Sequence, residues 1–270
     1  MARHDFIKDS VTMAQHPPEI PPNLLMLHGI PDSGRVWNGV ARALGSDARC
    51  HAPDLPGFGP ASAPFAPQGI DALVEAVDEA AARLSHPIVM VVHDAGALFG
   101  LAWAAVRPHR IAALVILNAS VFPDRRWHWG ARLLRTPAAG ELAMALMTAP
   151  AFRRELQRAA RGGRSESDIA DTFRAFGPSA RRTALELYRL QSRRFLSELS
   201  ASALDLVARR PSLVVWGEAD PYLPAKFAVR WGAGTVHRHA ALGHWPHAEA
   251  PTQVAADIRS FLRDSGLLAR

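Results

Sequence analysis

The chain has 270 residues, 49% of them hydrophobic, and a formal net charge of +6 carried almost wholly by arginine. That length suits one large α/β domain, or a core with an inserted lid, and the apolar content is ample for a buried core. No apolar run reaches bilayer length, no basic start leads into a secretion-type apolar stretch, and a lone Cys50 excludes an internal disulfide, so a cytoplasmic protein is expected.

The first segment, residues 4–15, is compatible with a short hairpin around Asp9-Ser10, followed by a stiff connection through Pro17-Pro18 and Pro21-Pro22. Leu24 to Leu27 reads as a strand and leads into the loop His28-Gly29-Ile30-Pro31-Asp32-Ser33. Val36 to Leu44 reads as a helix. Arg49 to Ala52 is a short strand, with Asp54-Leu55-Pro56-Gly57-Phe58-Gly59 behind it and Cys50 as a small core residue. Ala72 to Leu84 is a helix with Glu75, Asp78 and Glu79 on its polar side. Ile88 to Val92 is a buried strand, Ala97 to Val106 a helix, and Ala112 to Leu117 the next strand. Leu213 to Trp216 and Val236 to His239 are the last strands, and Thr252 to Leu262 a closing helix. This alternation predicts a mostly parallel sheet covered on both faces.

Residues 121–206 break the rhythm. They hold no convincing strand, are rich in Arg, Ala, Leu and Glu, and are too long for an ordinary loop. They are expected to form a helical lid inserted into a core made of residues 1–120 and 207–270. The arginines between Arg125 and Arg194 are spaced as on a solvated helix face. No helix-turn-helix, zinc or RNA-binding signature accompanies them, so nucleic acid is not an expected partner.

Between the strand ending at Val92 and the helix from Ala97 lies a tight turn with Asp94 at its tip. Such a turn projects one side chain over the helix N-terminus, where backbone amides favour negative charge. Asp220 follows Leu213–Trp216 in Trp216-Gly217-Glu218-Ala219-Asp220-Pro221. His244 follows Val236–His239 in Leu242-Gly243-His244-Trp245-Pro246. Ligands of open parallel sheets bind beyond the carboxyl ends of the strands, so all three residues are expected at one crevice. Singly, each has an ordinary structural reading: a helix cap for Asp94, a turn opener for Asp220, a packed ring for His244. His93 and His247 are read as structural.

With these motifs in this order the chain resembles the α/β-hydrolase fold, in its branch with aspartate at the nucleophile elbow, over nearly its whole length apart from the lid. His28-Gly29-Ile30-Pro31 resembles the oxyanion loop and Gly243-His244-Trp245 the histidine loop. The resemblance implies a cofactor- and metal-free hydrolase in which Asp94 forms an alkyl ester. His244 then activates a water to cleave it and Asp220 orients His244. Backbone N–H groups of Ile30 and Ala95 are the implied oxyanion donors. Its expected partners are a small apolar electrophile and water; a homodimer is compatible. The resemblance divides between epoxide hydrolases and haloalkane dehalogenases. Dehalogenases carry a Trp after the nucleophile, and many an Asn in the oxyanion loop, where this chain has Ala95 and Ile30. Glu186-Leu187-Tyr188-Arg189 resembles the lid Tyr-Arg signature of epoxide hydrolases, so Tyr188, with His128, is the expected pair of ring-oxygen donors. Trp127, Trp129, His28 and Trp245 are expected to touch substrate. A halide-releasing hydrolase, a lyase using Asp94 without a covalent bond, and a non-catalytic binding protein remain alternatives.

Overall fold

Among the described residues six segments form a single sheet: β1 (Asn23–Leu27), β2 (Arg49–His51), β3 (Ile88–His93), β4 (Ile111–Leu117), β5 (Ser212–Gly217) and β6 (Thr235–His239). All pair in parallel, in the order β2-β1-β3-β4-β5-β6. The computed structural model describes residues 20–59, 62–85 and 87–269. The hairpin expected over residues 4–15 lies outside them. No helix among the described residues is long and apolar enough to cross a membrane.

The near-continuous apolar strands follow from burial on both sides. Alternate residues divide between two cores. Leu25, Leu27, Met90, Val92, Leu114 and Ile116 join one. Leu24, Met26, Val89, Val91, Val115 and Leu117 join the other. Helices α1 (Asn38–Leu44) and α12 (Pro251–Asp264) pack together over the second face. Over the first face lie α2 (Ile70–Ala81) and α3 (Gly96–Val106), also packed together.

Local details depart from the sequence pattern at element ends. A 3₁₀ turn, Gly34–Trp37, precedes α1. Helix α2 starts at Ile70 and stops at Ala81, where a turn closes as the Leu84 N–H donates to the Ala81 carbonyl. The stretch between β4 and β5 is helical, as its composition indicates: α4 (Trp129–Arg135), α5 (Ala139–Ala145), α6 (Ala149–Ala159), α7 (Glu166–Ala175), α8 (Pro178–Leu190) and α9 (Arg193–Arg209). Ser165 and Ser192 cap α7 and α9 with their side chains. Helix α9 packs along α3. Two short helices, α10 (Lys226–Arg230) and α11 (Pro246–Glu249), complete the core.

Most arginines of this insertion are solvated, as Arg153, Arg194 and Arg209 are, in exposed ion pairs. Two are not. Arg164 is buried and pairs with the buried Asp32 at 3.0 Å. Arg125 turns inward between β4 and α4, which its spacing in the sequence does not reveal.

Helix α3 approaches β1 so closely that its first residue must be glycine. A Cβ on Gly96 would stand 2.4 Å from the Leu27 carbonyl oxygen and 2.6 Å from that of His28. Backbone cannot yield as a side chain does. Gly96→Val is therefore expected to cost about 1–3 kcal/mol or more, measured by urea denaturation, while a valine at solvent-facing Gly234 changes little.

Candidate active site

The carboxyl ends of five strands and the insertion line a cavity of about 620 Å³. Asp94, immediately beyond β3, has a φ of +45°, a left-handed conformation uncommon for a residue with a side chain. The turn is closed by N–H donation from Ala97 to the Asp94 carbonyl at 3.1 Å. Gly29 supplies the space: a Cβ there would lie 2.5 Å from the Asp94 Cβ. The Ile30 N–H donates to Asp94 Oδ1 at 3.2 Å, and the Ala95 backbone helps hold the charge of this carboxylate. Of the two expected oxyanion donors, Ile30 thus makes a direct hydrogen bond to Asp94 and Ala95 follows Asp94 in the chain.

His244 lies with Nε2 3.6 Å from Asp94 Oδ2 and Nδ1 2.7 Å from Asp220 Oδ2. Asp220 is held from several sides. Asn118 Nδ2 donates to Oδ2 at 2.8 Å, and the Tyr222 and Leu223 amides donate to Oδ1 at 2.7 and 3.1 Å. Asn118 was not singled out by sequence. It follows β4 with a φ of +32°, and its amide also bonds both the N–H and the carbonyl of Gly217. It ties β4 to β5 where Asp220 leaves the sheet. The available signal was its place: a polar residue directly after a buried strand.

The electrostatics favour an ionised pair. Burial works against charge on Asp94, but His244 outweighs it and holds the carboxyl well below its usual range. Burial likewise works against a charged His244, yet Asp220 and then Asp94 raise it to about 10. Asp220 is lowered, burial being overcome by His244, Asn118 and the Tyr222 amide. His93, beneath the site, is lowered to about 4 by burial and by His244, and its Nε2 donates to the His244 carbonyl at 2.9 Å.

The remaining expected residues separate. Tyr188 lines the cavity and its hydroxyl has no hydrogen-bond partner among the described residues. Burial and Asp94 push its proton affinity up. His128 also lines the cavity. Its Nδ1 accepts the Ala131 N–H at 3.3 Å and caps α4, which leaves the proton on Nε2. Burial lowers its pKa, so the ring is neutral. Trp127 and Trp245 line the cavity, and Trp129, 73% exposed, stands at its rim. His28 does not reach it, contrary to expectation. It is wholly buried, donating from Nδ1 to the Gly29 carbonyl and accepting the Leu55 N–H at Nε2, so it braces two loops instead of touching a ligand. Tyr222, to which the sequence assigned no role, faces His244 edge-on at 5.0 Å and donates to Glu155 at 2.6 Å. Arg125 and Gln191 complete the polar wall.

A raised histidine stabilises the fold fully below its ordinary pKa, near 6.5, and that contribution fades as pH climbs through the raised value. Asp220→Asn removes the leading source of the rise. The stability difference between wild type and this variant is therefore expected to be large near pH 6 and to shrink toward about pH 10, read by urea denaturation. Asn118→Leu, which strands buried groups of Asp220 and Gly217, is expected to cost roughly 1–3 kcal/mol.

The sequence matches the family model described as alpha/beta hydrolase fold over residues 22–251. It is 26% identical to a cis-3-alkyl-4-alkyloxetan-2-one decarboxylase of Shewanella oneidensis, across 91% of this chain and 83% of that protein. It is also 26% identical to haloalkane dehalogenase 2 of Mycobacterium tuberculosis, across 88% of this chain and 86% of the relative. Among solved structures, the epoxide hydrolase CorEH superposes with a TM-score of 0.76 at 21% identity, covering 90% of this chain and 92% of that one. The parallel sheet, the elbow after β3 and the match over most of its length make this chain a member of the α/β hydrolase-fold family.

Proposed function

We propose that the protein is a hydrolase that works through an ester on Asp94, and that its electrophile is an epoxide. The observation carrying this reading is the pairing of an ionised Asp94, beside His244, with unengaged donors in the same cavity: the Tyr188 hydroxyl and the His128 Nε2–H. Residues 121–206 act as the lid that supplies those donors.

A carboxylate needs no base to attack. With Oδ1 on the Ile30 N–H, Oδ2 is the oxygen available to the reacting carbon. Its lone pair forms the new C–O bond as the ring C–O bond breaks, and the ring oxygen takes a proton from Tyr188 or His128. Esterification removes the charge of Asp94, one of the two carboxylates that keep His244 protonated. The imidazole then releases its proton, which restores the spent donor through solvent, and becomes a base. It takes a proton from water, whose oxygen attacks the ester carbonyl. The former Oδ1 becomes an oxyanion on the Ile30 and Ala95 amides, a contribution of about 3 kcal/mol per donor. Collapse frees a diol and returns ionised Asp94 beside protonated His244.

Ala95 and Ile30 carry no side-chain N–H for a departing halide, which disfavours organohalides. Likeness to the oxetanone decarboxylase supports a second reading, opening of a strained lactone at the same carboxylate.

His244→Ala is expected to form the ester and fail to cleave it, so that intact protein gains the mass of an epoxide substrate. Turnover at the wild-type rate without an adduct overturns the assignment, as does ¹⁸O from solvent entering product while Asp94 stays unlabelled. Free halide or an alkene with carbon dioxide as product transfers the activity to the organohalide or lactone reading. In single-turnover experiments ester formation is expected to stay level from about pH 8 to about pH 5, because Asp94 remains ionised. Ester breakdown, which needs neutral His244, falls toward the acid side.

A further inference from the structure

Arg125 is a half-buried cation with no ion-pair partner among the described residues. It leaves the loop between β4 and α4 and lines the same cavity as Asp94. Its Nη1 donates to the Ser120 carbonyl at 2.8 Å and its Nη2 to Gln191 Oε1. Gln191 is itself oriented by donating to the Leu187 carbonyl at 2.9 Å. The guanidinium stacks on Trp127, with its central carbon 3.8 Å from the ring centroid. Its Nε–H is buried and unpartnered. Drawing a guanidinium partly out of water away from any carboxylate is costly, and neutral acceptors repay only part of that cost. Arg164, the arginine of the insertion that is fully buried among the described residues, has the carboxylate of Asp32 against it. Arg125 feels Asp94 across the cavity, but that charge is cancelled by His244 and vanishes on esterification. What Arg125 lacks is an anion of its own, and a planar guanidinium that is already oriented suits a carboxylate.

We propose that Arg125 is a specificity residue that binds a carboxylate of the substrate attacked by Asp94, both side chains lining one cavity. This rests on the Asp94 reading above and narrows its substrate class to organic acids with an apolar remainder. That remainder lies against Leu133, Leu134, Met144, Met147 and Phe176. The carboxylate has two sources: it is present in an epoxy acid from the outset, or it is liberated when a four-membered lactone opens.

The test separates binding from chemistry. In Asp94→Asn, which lacks the nucleophile and its repulsion, hexanoate binding is followed by fluorescence of the tryptophans, Trp127 lying against Arg125. Hexanoate is expected to bind, and Arg125→Gln in the same background to weaken it about 10- to 100-fold. Arg125→Lys should retain an intermediate affinity, and hexanol should be unaffected by either change. Equal hexanoate affinity with and without Arg125, or parallel losses for hexanol, overturns the proposal, the latter by showing a purely structural role. If Arg125→Gln does not fold, the lysine variant decides: hexanoate affinity lowered against an unchanged hexanol supports the proposal, and both changing together overturns it. With intact Asp94, epoxy acids are then compared with their methyl esters, and oxetan-2-ones with neutral epoxides of equal length. A preference for the acid or for the lactone that Arg125→Gln removes identifies the source, whereas no preference for either overturns the proposal. Failure of ester chemistry at Asp94 would leave the hexanoate result readable.

Discussion

Everything at this site depends on one residue being held in a left-handed turn. The φ of +45° at Asp94 lifts its carboxylate off the end of β3 and sets it before the amides of Ile30 and Ala95. Such a backbone is unfavourable in isolation and persists only where its surroundings fix it. Two glycines do so from opposite sides. Gly29 lets the β1 loop touch the Asp94 side chain, and Gly96 lets α3 begin against the carbonyls of Leu27 and His28. The sheet register carries that positioning further, since β3 is paired with β1 on one side and β4 on the other.

From this fixed carboxylate the charge pattern extends outward. His244 lies between two acids, and its protonation reports whether both are ionised. Asp220 is too well satisfied to give up its charge: Asn118, two backbone amides and His244 all bond to it. Asp94 has fewer partners and is the acid that can be neutralised. The asymmetry between the two carboxylates, one saturated and one available, is what separates the orienting group from the reacting one in the proposed mechanism.

The strands, their order of chemistry and the three residues at the crevice were legible because each is a local signal: an apolar run, a turn, a charged residue beyond it. The helical insertion was legible from composition. Asn118, Arg125 and Tyr222 were not, because their importance lies in contacts across the chain. Arg125 resembles its solvated neighbours in spacing and differs only in the cavity it enters. Tyr222 follows Asp220 by two residues, yet its partner Glu155 is on α6. His28 misled for the opposite reason. Its motif resembles the oxyanion loop, while both ring nitrogens are consumed by backbone groups of neighbouring loops.

The fastening of α6 to the histidine loop has a mechanical meaning. The His244 amide donates to the carbonyl of Ala159, the last residue of α6, and Tyr222 reaches Glu155 one turn earlier on that helix. Glu249 spans the same junction, accepting from Gly162 on one side and from Gly243 and Trp245 on the other. This corner of the insertion is a pivot welded to the imidazole. In the proposed mechanism that fastening fixes the aim of the base, whereas α4 and α5 are joined to this corner by none of these bonds.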